Sequence, residues 1–258
     1  MGSRSGTCHI CGANGQLSYE HVPPRAAFND RPVIARLIDE IVRQGSIAGG
    51  RGHISQRGAG AHTLCRQCNS LTGHWYGKSY VDWVAQGMQI LGAARCAPSL
   101  YYNFHVLPLR VIKQITCMFF SVNGTRFRQV HPELEKFVLD RNRRHLPHNV
   151  RVYTFYAVGN FFRHSSVSGL INITNTSKTS IFSEITFPPF GYVMAFGRPP
   201  EGAMLDISYF SSFDYNTYRP MTLRIPVLPV VTYIPGDYRT QSEIDEALSS
   251  TEQQDQLL

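Results

Sequence analysis

No stretch of this chain approaches the roughly 18 uninterrupted apolar residues that a membrane-spanning helix needs. The longest candidate, VLPLRVIKQITCMFFSV from Val106 to Val122, is broken by Arg110, Lys113 and Gln114. The opening MGSRSGTCHICG lacks the apolar segment of a secretory signal, and Gly6 stands where a myristoylation pattern wants Ser or Thr. No internal repeat is present in the strand-rich runs from residue 150 onward. Charged residues make up only 17% and aromatics reach 12%, a balance that excludes a disordered, fully solvated chain. What remains is 258 residues, 43% of them hydrophobic, enough for one large domain or for a small module with a larger body. The expectation is a soluble, cytoplasmic protein with no membrane partner.

Acidic residues are also scarce over most of the chain. Asp and Glu number 18 against 25 Lys and Arg, a formal net charge of +7. The balance is uneven: residues 1–86 carry +4, residues 87–235 carry +8, and residues 236–258 carry −5. A basic folded part favours polyanions, because neutralising phosphates releases counterions. A basic protein with no such partner shows the same balance, so charge alone leaves the two readings level.

There are six cysteines, and four of them form two C-x2-C pairs, Cys8 with Cys11 and Cys65 with Cys68. A disulfide framework is not the expected use in a chain of this size without a leader. Tight C-x2-C turns each present two thiolates to one ion, and two such turns about fifty residues apart suit a structural Zn²⁺ site with four cysteine ligands. Cys96 and Cys117 sit in apolar surroundings and read as small buried thiols.

CHICGANGQLSYEH, residues 8–21, reads as a Cys knuckle, an Asn14-Gly15 turn and a strand that ends at His21, stopped by Pro23 and Pro24. Residues 32–44 carry Val33, Ile34, Leu37, Ile38, Ile41 and Val42 at helical spacing, between Pro32 and Gly45, and predict an amphipathic helix. Residues 45–61 are too Gly-rich to pack; they carry Arg51, His53 and Arg57 and could order against a phosphate backbone. A short strand leads into Cys65. A helix or broken helix follows from Asn69, with Tyr80, Trp83, Val84, Met88 and Leu91 on its apolar side; Trp75, Tyr76 and Trp83 read as core. Helices are predicted around 107–121 and 132–142. Strands follow at 150–159, 168–176, 180–197 (bent at Pro188-Pro189), 204–210 and 221–233. Arg126 and Arg128, and the cluster from Arg141 to His145, are basic patches that read equally as backbone contacts or solvated helix ends.

Zinc would explain a small fold but not Glu20-His21. Clamped knuckles would hold the end of the strand beside the helix after Cys68 and bring Glu20, His21 and Asn69 to one cleft. Glu20 and Asn69 offer hard oxygens suited to Mg²⁺ or Mn²⁺, and His21 can accept a proton near neutral pH. A divalent cation with a histidine base is the equipment of phosphodiester hydrolysis. Asn69 also suits a helix cap, and Glu20 and His21 would read as ordinary strand-end side chains without the flanking cysteines.

The order C-x2-C, acidic residue-His-x-x-Pro, then LCRQCN over residues 8–74 resembles the zinc-containing, four-cysteine branch of the HNH, or ββα-metal, endonuclease family. That resemblance implies a structural zinc on Cys8, Cys11, Cys65 and Cys68, a catalytic metal on Glu20 and Asn69, and His21 as general base. It implies DNA as substrate, with RNA as the related alternative, a 5′-phosphate product, and a microbial antiviral-defence or mobile-element nuclease. Glu20 replaces the more usual Asp. The family's middle Asn, which orients the base, falls at Gly60; His62 is the nearest polar substitute, with His53 further off. His74, five residues past Asn69, reads as a helix-surface residue or a support behind the ligands, with contact to the metal or phosphate as the alternative. Arg25, Arg51 and Arg57 are the candidate phosphate contacts.

The resulting expectation is an α+β protein. Residues 1–96 form the nuclease module, residues 97–236 an α+β body for positioning, a protein partner or homo-oligomerisation, and residues 237–258 an acidic tail, helical or disordered. The rival is a non-catalytic zinc-stapled module that binds nucleic acid or protein.

Overall fold

A computed structural model describes residues 4–36, 52–94, 99–159, 161–170, 179–199 and 202–255, and it is α+β. Three strands form the first sheet: β1 (Arg4–Thr7), β2 (Asn14–His21) and, after the ribbon β3 (Val33–Ala35) with β4 (His53–Ser55), β5 (Gly60–Cys65). Their order is β1-β2-β5, antiparallel throughout. In the β2–β5 pairing Ser18 faces Leu64 while Tyr19 faces His62, so Thr63 is the extra residue of a bulge. Thr63 is buried there and donates to Ser121 Oγ at 3.0 Å.

The chain leaves β5 directly into α1 (Arg66–Thr72), passes through one π-helical turn (Gly73–Gly77), and continues as α2 (Lys78–Ala93). Helical dihedrals at Thr72, Gly77 and Lys78 make this one helical run with a widened turn in its middle. Tyr76, Tyr80 and Trp83 are buried: Trp83 stacks on Phe190 at 4.8 Å and donates to Tyr192 Oη at 3.0 Å. Gly87 is required beneath that stack, since a Cβ there would lie 2.3 Å from the Phe190 ring.

Helix α3 (Pro108–Asn123) starts at its N1 proline and is buried on nearly every side, from Leu109 through Ser121 apart from Arg110. The polar residues that break its apolar run are mostly satisfied. Arg110 donates to Tyr215 O and Asn216 Oδ1. Lys113 donates to Phe137 O and, at 2.7 Å, to Asp140 O, at the C-terminal end of α5 (Pro132–Leu139). The short α4 (Thr125–Val130) joins α3 to α5. A seven-stranded sheet completes the body: β6 (Ser99–Val106), β7 (Val150–Gly159), β8 (Arg163–Leu170), β9 (Ser180–Phe187), β10 (Phe190–Phe196), β11 (Leu205–Asp206) and β12 (Arg219–Val230). Its order is β6-β12-β7-β10-β9-β8, with β11 on β7, and only β12–β7 is parallel. Side chains from Cys8 to Ile225, the expected buried thiol Cys117 among them, belong to one continuous hydrophobic cluster.

Three sequence expectations change. The helix at 32–44 is a strand where it is described: Val33–Ala35 pairs with His53–Ser55, Ile34 opposite Ile54. Two β-branched residues with a matching strand across from them satisfy the backbone there. Residues 37–51, with the rest of the expected helix and Arg51, lie outside the described residues, as do Cys96 and the 171–176 part of an expected strand. The Gly-rich stretch does pack from His53 onward, because Gly58 O accepts from Tyr19 Oη at 3.0 Å and from Ser55 Oγ at 2.6 Å. The expected strand at 204–210 is cut short after Asp206, whose Oδ1 accepts from Ser208 N, and a 3-10 turn (Ser208–Ser212) replaces it. The tail carries α6 (Gln241–Asp255), started by a reciprocal Thr240–Glu243 capping box.

Candidate functional site

Two knuckles bring four thiols together. In the first, Gly12 N donates back to Cys8 O and Cys8 N donates to Ala13 O, both at 2.9 Å, and Gly12 takes φ 75°, a conformation glycine adopts freely. In the second, Cys65 is the N-cap of α1 and its Sγ accepts from Cys68 N at 3.4 Å. The ligand atoms of Cys8, Cys11, Cys65 and Cys68 all lie within 4.8 Å of one another, and Cys11 Sγ and Cys65 Sγ are 3.8 Å apart. Sulfurs at the corners of a tetrahedron with metal–sulfur bonds of about 2.3 Å would be about 3.8 Å apart, so this cluster could bind a metal ion such as zinc. The thiols share protons closely: a hydrogen bond from Cys68 draws Cys8 down to about 4, and the same contact pushes Cys68 up.

Beside this cluster the end of β2, the turn after it, and the α1–α2 run border a cleft of about 580 Å³. Glu20, His21 and Asn69 all line it, with Arg25, Lys78, Asp82 and Gln114. Gly73 and Gly77 border it too, and a Cβ on either would meet nothing within 4 Å, so the π-turn keeps that wall low. Asn69 is pinned by its amide nitrogen, which donates to Ser18 Oγ at 3.1 Å and Tyr19 O at 3.3 Å, while its oxygen accepts from no described residue. Glu20 is 8% exposed and its carboxylate hydrogen-bonds no described residue; burial raises it to about 8. His21 is held low mainly by burial, with Arg25 and Arg57 adding to the effect, while a hydrogen bond to the Arg57 backbone opposes it. The imidazole also packs on the edge of Tyr19, ring centres 4.9 Å apart.

The loop that presents His21 is locked by a residue that no sequence motif marks. Asn29 is 1% exposed; its Nδ2 donates to Pro23 O and to Ala59 O, and its Oδ1 accepts from Ala59 N, each at 2.7 Å. Val22 N donates to Ala59 O as well, at 3.0 Å. The segment after His21 and the segment holding Arg57 are thereby tied to one side chain. Gly60, where the resemblance wanted an Asn, has no room for one: a Cβ would lie 2.2 Å from Glu20 O. Gly58 is equally confined, with φ 90° and only 2.3 Å between Asn29 O and the place a Cβ would occupy.

Of the remaining described sequence candidates, Arg25 lines the cleft and the others do not. His62 lies across from Tyr19 on β5, its ring 5.3 Å from the Tyr19 ring. His53 and His74 are exposed and do not line the cleft. Arg25 is exposed on the rim, and Arg57 is exposed near His21. The basic clusters of the body are partly paired: Arg128 with Glu135, Arg143 with Glu133, and Arg144 with Asp214. Asn29 and Gln114 were the residues missed. Asn29 follows the prolines with no motif around it, and Gln114 is on α3, 45 positions beyond Asn69, so neither carries a local signal.

No family model, no curated protein and no solved structure matches the chain.

Proposed function

We propose that this protein is a metal-dependent endonuclease of the HNH type that hydrolyses phosphodiester bonds in DNA. The observation that carries the reading is that Glu20, His21 and Asn69 line one cleft next to the four-thiol cluster. The four thiols take the role of a structural zinc site, which would tie the first knuckle to the start of α1 across the three short strands. Glu20 and Asn69 fit a second cation: an orphaned, buried carboxylate and an amide oxygen are hard donors, suited to Mg²⁺ or Mn²⁺ with waters retained. Such a cation, when bound, neutralises charge on the phosphate and on the departing oxygen.

The chain's own residues do the rest. The nearby Arg57 backbone favours a protonated ring nitrogen on His21, and in the neutral ring the other nitrogen carries the lone pair. Its lowered proton affinity keeps that nitrogen free near neutral pH, ready to take a proton from an attacking water. The water oxygen bonds to phosphorus as the P–O3′ bond breaks, giving a 5′-phosphate and a 3′ alkoxide that takes a proton from solvent to become the 3′-hydroxyl. Arg25 and Lys78 at the rim offer positive charge to the flanking backbone. Asn29 takes the orienting role expected of a middle asparagine, acting on His21 through the Ala59–Arg57 segment rather than from Gly60.

Supercoiled plasmid with Mg²⁺ or Mn²⁺ tests this. Wild type should nick it; His21→Ala should not, with its zinc content unchanged. If both proteins bind DNA and neither cuts, the chain is a zinc-stapled binding module.

A further inference from the structure

We propose that Gln114 supplies a third protein oxygen to the divalent cation of the Glu20–Asn69 cleft, so that the cation site spans the N-terminal sheet and the central helix of the body. The inference rests on the reading of the cleft as a cation site. Gln114 is 2% exposed, and its Oε1 is buried with no hydrogen-bond partner, yet the residue lines the same cleft as Glu20, His21 and Asn69. An unsatisfied amide oxygen is uncommon inside a protein and calls for a partner.

The rest of α3 shows how unusual this is. Thr116 donates to Ile112 O, Lys113 to the carbonyls ending α5, and Asn123 to Phe119 O and Ser183 Oγ. Those polar side chains are used up within the fold, whereas the Gln114 oxygen is not. Glu20, on β2, lines the same cleft as Gln114 on α3. Glu20 is itself buried without a hydrogen bond, and Asn69 has its nitrogen engaged on β2. Three oxygen-bearing side chains from β2, α1 and α3 thus border one space, and none of these oxygens is satisfied by the described residues. Oxygen donors with a single formal charge suit a hard divalent cation that keeps several waters. Gln114 adds an oxygen without adding charge, and it makes an element of the body part of the site.

Mn²⁺ binding to the full-length, zinc-loaded protein, measured by the loss of the free-Mn²⁺ electron paramagnetic resonance signal, tests the assignment independently of cleavage. Gln114→Leu keeps similar bulk without the oxygen and should weaken Mn²⁺ binding about 10-fold, with zinc content and melting temperature no lower than wild type. Gln114→Glu should bind Mn²⁺ more tightly than wild type. If Gln114→Leu binds Mn²⁺ as wild type does, the inference fails while the nuclease reading stands. A wild type that binds no Mn²⁺ overturns both. If Gln114→Leu does not fold, Gln114→Glu decides alone: tighter binding supports the third oxygen, and equal or weaker binding refutes it.

Discussion

Asn29→Ala probes the lock that holds the loop behind His21. The substitution removes three hydrogen bonds of 2.7 Å, two donated to Pro23 O and Ala59 O and one accepted from Ala59 N. All three are buried, and a neutral hydrogen bond contributes a net of about 1 kcal/mol, so the loss is about 3 kcal/mol. The Ala59 N–H, left buried without an acceptor, adds to that figure rather than reducing it. For a chain of this size each kcal/mol shifts the melting temperature by roughly 2–4 °C, so the expected fall is roughly 6–12 °C. Differential scanning calorimetry with zinc bound measures it. Asn29→Asp retains the acceptor but sets a carboxylate against two carbonyl oxygens, and should fare no better. Cleavage per folded molecule, assayed well below the melting transition, should fall in kcat with little change in KM, because Asn29 does not line the cleft. A fall of less than about 2 °C would refute the energetic argument. A large fall with kcat per folded molecule unchanged would refute the positioning role and leave Asn29 purely structural.

Two other perturbations follow from the same structure. Cys65→Ser removes a thiolate while leaving a hydroxyl able to cap α1, so it should lose bound zinc, lower the melting temperature and abolish cleavage; a normal melt with full zinc content would contradict a structural metal. His164 is buried with its Nε2 unpartnered among the described residues, and burial lowers the group from 6.5 to about 4. Between those values the unfolded chain binds a proton that the folded chain does not, so this contribution is whole above pH 6.5 and is lost as pH falls towards 4. Glu20, raised to about 8, works in the opposite sense over the same range, so the quantity to measure is the stability difference between wild type and His164→Gln. That difference should move by about 3 kcal/mol in favour of the variant from pH 7 to pH 4; a pH-independent difference would show that His164 does not titrate as described.

Much of the fold is legible in the chain because its local and tertiary signals agree. Pro108 and Pro132 start helices, the β-branched and aromatic runs at 150–159 and 180–197 are strands, and Tyr76 and Trp83 are core. Val33–Ala35 misled because a short apolar run does not distinguish a helix from a strand whose partner lies 20 residues further on. Within the cleft, Glu20, His21 and Asn69 were visible because the cysteines announce their neighbourhood. Asn29 was not, since its value lies in backbone partners at Pro23 and Ala59 that only the folded loop brings together. Gln114 was hidden for a related reason: in sequence it is a polar interruption of an apolar helix, and only packing turns that helix toward the cleft. The absence of an Asn at position 60 likewise reflects space, because β2 passes too close there for any side chain.

The most direct measurement is the anomalous scattering of crystals of the zinc-loaded protein soaked in Mn²⁺. The account predicts one zinc peak among Cys8, Cys11, Cys65 and Cys68, and a separate manganese peak within coordinating distance of Glu20 and Asn69 oxygens, facing His21. Manganese that appears only elsewhere, or not at all, in protein whose zinc site is full would contradict it.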